Sequence, residues 1–206
     1  MGKKRLVFLV SAALFLIALR LPFWVALMKA PSYPQGLQVR LYPYGLVGDI
    51  KEINTVGWML GLTIPEVPKV AYLAFQVALV MLALICLLAV FARPFEKVAV
   101  AASWLVLIGL TGYAQYSLYV FGHNLPPDRP LQWFEPFTPP LVGVIVKQSI
   151  RTYHLFHAGG LAFFVATLLP TWVVWKEWRE RRTRARKEVA GQNGQGGAVG
   201  EVASEE

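Results

Sequence analysis

Four long apolar runs set the plan of this chain, and the stretches between them are proline-rich, polar or basic. The runs cover residues 6–27, 70–91, 98–121 and 155–175. Each is close to the roughly 20 apolar residues that a helix needs to cross a bilayer. The pattern predicts an all-α membrane protein with four transmembrane helices. Residues 1–5 precede the first span, a tight turn at 92–97 joins the second and third, and a tail at 176–206 follows the fourth. Two longer loops, 28–69 and 122–154, then share one side of the membrane.

Both loops carry pattern of their own. In the first, Pro31, Pro34 and Pro43 with Gly36, Gly45 and Gly48 mark turns. Leu37, Val39 and Leu41 alternate with polar residues, the period of a short strand. Asp49 followed by Glu52 is the signature of a short helix whose first N–H groups meet a carboxylate, and Pro65 and Pro68 end it. The second loop holds six of the fourteen prolines, at 126, 127, 130, 136, 139 and 140. Fixed φ and missing N–H donors make such a segment stiff and extended. Trp133, Phe134 and Phe137 give it large apolar faces suited to a membrane surface or a protein partner.

Composition agrees with a membrane class. Of 206 residues 56% are hydrophobic and 16% charged, against about 25% charged in a soluble domain. The net charge of +8 would point to nucleic acid in a soluble protein. Here twelve of the twenty Lys and Arg flank the spans at 1–5, 92–97 and 176–206. That asymmetry predicts a multi-pass, N-in, C-in membrane protein with both loops extracytoplasmic, in the periplasm if the cell is a diderm bacterium. The lipid bilayer is then partner enough for the basic tail, and nucleic acid is not called for. The one cysteine, Cys86, lies inside a span, where it reads as a small packing residue and excludes an intramolecular disulfide.

Candidate chemistry is sparse. No nucleophile elbow, phosphate-cradling loop or H-E-x-x-H motif occurs, which argues against an enzyme. No carboxylate lies inside a span, which argues against a proton-coupled transporter. The intramembrane polar residues are Arg20, Gln76 and Gln115. Arg20 either snorkels to the interface or turns into the bundle to meet a carboxylate or ligand. All three histidines stand at one membrane level: His123 at the end of the third span, His154 and His157 three apart at the start of the fourth. They are either interfacial polar residues or, with Met59 as a soft donor, a set suited to copper. No C-x-x-C-H motif for haem attachment is present.

The first loop reads APSYPQGLQVRLY…GLVGDIKEIN and the second GHNL…PPLVGVIVKQ. These resemble the A-P-x-Y-P-x-G-L…D-x-x-x-I-N and G-H-N-L…P-P-L-I-G-x-K-Q segments of a family of small bacterial four-span membrane proteins. That family is encoded with the maturation genes of nitrous oxide reductase, a periplasmic copper enzyme. The matching positions are Tyr33, Pro34, Gly36, Leu37, Asp49, Ile53 and Asn54, then Gly122, His123, Asn124 and Leu125, then Pro139, Pro140, Leu141, Gly143, Lys147 and Gln148. After Asn54 this chain runs TVGWMLGL, where the family continues into a histidine-bearing L-N-H-Y-I-G-M stretch. His154 and His157 have no counterpart in the pattern, so His123 is the one histidine carried over. The resemblance implies an accessory integral membrane protein that supports a periplasmic respiratory metalloenzyme by docking, maturation or metal handling. The surface facing a periplasmic or membrane protein partner would comprise Tyr33, Asp49, Asn54, Asn124, Trp133, Phe137, Lys147 and Gln148. A quinol- or haem-binding redox subunit and a purely structural subunit are the alternatives from other classes.

Overall fold

The first apolar run does not stay helical. In the computed structural model, which describes residues 2–58, 62–64, 66–127, 135–147 and 149–201, with side chains as far as 184, helix α1 spans Lys3–Ala18. The N–H groups of Leu19, Arg20 and Leu21 close one last turn onto Leu16, Ile17 and Ala18. Pro22 then ends it, having no N–H to continue the ladder. The chain re-emerges as strand β1, Trp24–Ala30. Strands β2 (Tyr33–Tyr42) and β3 (Gly45–Gly48) and a short helix α2 (Ile50–Trp58) complete the first loop. Helices α3 (Lys69–Phe91) and α4 (Pro94–His123) form a hairpin about Ala92 and Arg93, with Pro94 at the first helical turn of α4. Strands β4 (Gly143–Lys147) and β5 (Ile150–Phe156) follow, and α5 (Ala158–Glu201) ends the described chain.

The expected all-α, four-span architecture is therefore corrected to a mixed one, with a five-stranded antiparallel sheet and five helices. Among the described residues, three helices are long and apolar enough to cross a membrane: α3, α4 and the 158–184 part of α5. The 16 residues of α1 give about 24 Å of rise, short of a hydrocarbon core about 30 Å thick. The expected span 6–27 fails because WVALM, read by hydropathy alone, looks the same in a strand as in a helix. The span expected to begin at Leu155 fails for the same reason. Leu155 and Phe156 belong to β5, and α5 starts only at Ala158.

The sheet order is β3-β2-β1-β5-β4. β1, β2 and β3 come from the first loop, β4 and β5 from the second. The β1–β5 ladder, from Trp24↔Phe156 to Lys29↔Arg151, fuses the two loops into one body. Residues opposite one another across antiparallel strands share a face. One face thus carries Trp24, Ala26 and Met28 with Leu37, Val39 and His154. Helix α2 packs over it at β2, and Leu37, Val39 and His154 are buried. The other face carries Val47, Val144, Val146, Leu155 and Arg151, all exposed.

Below the sheet, α1 packs between α3 and α5, and α4 closes against those two. Phe8, Ala12 and Phe15 on α1 meet Leu79, Leu82, Ala83 and Cys86 on α3 and Phe163 and Ala166 on α5. Alanine, serine and cysteine let these backbones approach closely, as helix interfaces in lipid require. Phe163 joins the bundle to the sheet, edge-on to Phe15 at 5.4 Å and 6.0 Å from Phe23, the residue just ahead of β1.

Candidate functional site

The prolines of the second loop lack donors but keep their carbonyls, and those carbonyls organise the sheet end of the protein. Three consecutive acceptors, at Pro139, Pro140 and Leu141, each take a side-chain donor from a different element. Gln115 Nε2 on α4 lies 3.5 Å from the Pro139 oxygen. The His154 ring on β5 donates to the Pro140 carbonyl. Trp24 Nε1 on β1 donates to the Leu141 carbonyl at 2.7 Å. The Trp24 and His154 rings meet edge to face at 5.1 Å. Residues 137–141 thus form a strap that binds α4, β5 and β1 together. Its other end is fixed to α4 where Phe137 N–H donates to the Gly122 carbonyl at 3.2 Å. At Gly122 a Cβ would overlap the Phe137 carbonyl, so only glycine fits there.

His154 is the one histidine held in the interior, 5% exposed. Nδ1 has no hydrogen-bond partner among the described residues. Burial lowers its pKa from the ordinary value, and the Pro140 bond offsets this in part. The ring is therefore neutral near pH 7. His123 is exposed, stacked on Tyr119 at 4.1 Å with Nδ1 3.0 Å from the Tyr119 carbonyl. His157 Nδ1 accepts from Ala158 N–H at 2.8 Å, at the start of α5. His154 and His157 do not share a helix face as expected, since one lies in β5 and the other just after it. Among the described residues, no group of three or more His, Cys, Asp or Glu side chains could hold a metal ion. Met59, Trp133 and Gln148 lie outside the described residues.

The remaining expected residues take architectural places. Asp49 Oδ2 accepts from Gln38 N–H at 2.8 Å, and Asp49 N–H donates back to the Gln38 carbonyl, locking the start of α2 onto β2. Asn54 Oδ1 accepts from Ile64 N–H at 2.8 Å, which turns the chain after α2. Gln76 Nε2 donates to the Pro43 carbonyl at 3.3 Å, tying the first loop to α3 as Gln115 ties the second to α4. Lys147 Nζ lies 5.7 Å from the Phe137 ring centre, a cation–π contact that joins β4 to the strap. Tyr33 pairs with Ala30 at the β1–β2 turn, and Asn124 caps α4. Arg20 is exposed in the turn after α1.

Trp24 escaped the reading of the sequence because it sits in what looks like the continuation of an apolar run. The signal available was Pro22, which already forbids a continuous helix there. The partner carbonyl at Leu141 is 117 residues away, a distance no local pattern bridges. Comparison of the chain with protein-family models, with curated proteins and with solved structures finds no match.

Proposed function

We propose that this chain is an accessory integral membrane protein of a bacterial inner membrane that presents its five-stranded sheet to a protein partner on the periplasmic side. The observation that carries this reading is the fusion of the two loops through β1 and β5 into one rigid body. Its covered face is fixed to the bundle, and its other face offers Val144, Val146 and Leu155 beside Arg151. Exposed apolar residues along the β4 edge, with Lys29, Arg40 and Arg151 on the same face, have the chemistry of a protein-docking surface. The opposite end holds Lys4, Arg93 and Lys97, so the positive-inside rule sets that end in the cytoplasm and the sheet outside.

The loop resemblance directs the choice of partner to a respiratory metalloenzyme, the copper-containing nitrous oxide reductase. Motif positions such as Gly122, Asp49 and Pro139–Leu141 have structural work in building the sheet and strap, so the resemblance supports a shared outer architecture first and a shared partner second. The test is a deletion strain in which copper content and activity of the reductase are measured. Both should fall, the wild-type chain should restore them, and a chain with Val144→Asp and Val146→Asp should not. Normal copper loading and activity in the deletion strain would remove this reading.

A further inference from the structure

At the end of the bundle opposite the sheet, α5 carries Trp172, Trp175 and Trp178 at intervals of three. All three are exposed, at 63%, 45% and 50%. They climb about 9 Å along the helix axis, a depth comparable with the headgroup region. Indole rings concentrate at that level because one edge is apolar and the N–H is polar.

Two of these rings carry a guanidinium one turn further on. The Arg179 guanidinium carbon lies 5.6 Å from the Trp175 ring centre, and that of Arg182 lies 3.8 Å from Trp178. A cation–π contact confines the guanidinium beside the ring without using up its N–H donors, which stay available to an anion. Among the described residues neither arginine forms an ion pair. Glu177 is taken by Lys4 Nζ at 2.6 Å and approached by Arg181 at 3.8 Å. Arg179 and Arg184 also line a shallow open groove with Glu180 and Thr183. Up to residue 184, where the described side chains end, ten cations stand against three carboxylates at this end, counting the start of α1 and the α3–α4 turn.

We infer that the pairs Trp175–Arg179 and Trp178–Arg182 form a binding site for the phosphodiester headgroups of anionic phospholipids. The indole rings set the depth, and the guanidinium N–H forks held over them donate bidentately to the phosphate oxygens. A general basic surface would need charge alone, whereas this site needs the planar fork, and that difference makes it testable. The inference rests on reading α5 as a membrane span.

The experiment uses the full chain in nanodiscs of phosphatidylcholine, titrated with phosphatidylglycerol and read by the thermal midpoint. The wild type should gain stability with phosphatidylglycerol and not with millimolar inorganic phosphate. Arg179→Lys with Arg182→Lys keeps the net charge, and its apparent affinity for phosphatidylglycerol should fall about tenfold. Arg181→Lys should bind as the wild type does. The double variant should match the wild-type midpoint in phosphatidylcholine alone, which separates a lost site from a damaged fold. Unchanged affinity in the double variant overturns the proposal, as does an equal gain from inorganic phosphate. Release of the chain from membranes by alkaline extraction would instead remove the reading of α5 as a span, and the proposal with it.

Discussion

At the sheet end of the bundle, Gln115, His154 and Trp24 each hold one carbonyl of the strap. At the opposite end one ammonium, Lys4 Nζ, stands 2.6 Å from both Glu96 and Glu177 and joins α1, α4 and α5. The first end is held by neutral, directional bonds to backbone that has no other donor. The second is held by charge, with geometry that tolerates rearrangement. The contrast follows from what each end must fix. Orienting a sheet needs several bonds of set direction, whereas closing a helix bundle beside a basic surface needs only that opposite charges meet.

The strongest challenge to this comparison is Gly122→Ala. The added methyl overlaps the Phe137 carbonyl, so the strap must shift, at a cost of about 1–3 kcal/mol. Thermal unfolding in detergent should show the loss, and proteolysis should open the second loop first. An unchanged midpoint would mean the strap is not fixed to α4. Trp24→Phe keeps the ring and removes the N–H, leaving the Leu141 carbonyl unmet, for about 1 kcal/mol. That loss should be insensitive to salt.

Lys4→Met is the counterpart at the charged end. It should cost up to about 1 kcal/mol at low ionic strength, because the groups are partly exposed, and the difference should shrink as salt is added. A salt-independent effect there, or a salt-dependent one at Trp24, would break the distinction between the ends. The most local effect is in pH. Because the folded-state pKa of His154 lies below its ordinary value of 6.5, the unfolded chain takes up the proton more readily. Stability from this source is whole above about 6.5 and is lost as pH falls from there toward the folded-state value. Protection of the β5 amides, taken relative to their intrinsic exchange rates at each pH, should decrease between neutral and mildly acid pH, and His154→Phe should abolish that change.

The two ends also differ in how far they could be read from sequence. Helices α3 and α4 and the basic flanks follow from hydropathy and charge, which are properties of single positions. The alternation at Leu37, Val39 and Leu41 lies within β2, and the Asp49 start marks α2. β1 and β5 were not legible, because each abuts a helix and shares its apolar character, so their boundaries vanish from a hydropathy profile. The strap was visible only as prolines. Its function is set by donors on three elements distant in the chain, and one of those donors, Gln115, was readable only as a polar residue inside a span. The histidines show the same limit. Their positions in the chain were readable, but the different settings of His123, His154 and His157 depend on tertiary contacts.

The β1–β5 ladder also dictates an order of assembly. Trp24 finds its place opposite Phe156 only after 131 intervening residues have been made and α3 and α4 have formed. During synthesis, β1 waits beside β2 with one edge unpaired, and an unpaired edge is a template for any passing strand. The sheet therefore closes only after both α3 and α4 have been made, and its high contact order makes that closing step slow. A chain that terminates before β5 retains α1, α3 and α4 yet leaves β1 bare, so early truncations should be cleared or aggregate rather than persist as smaller working versions.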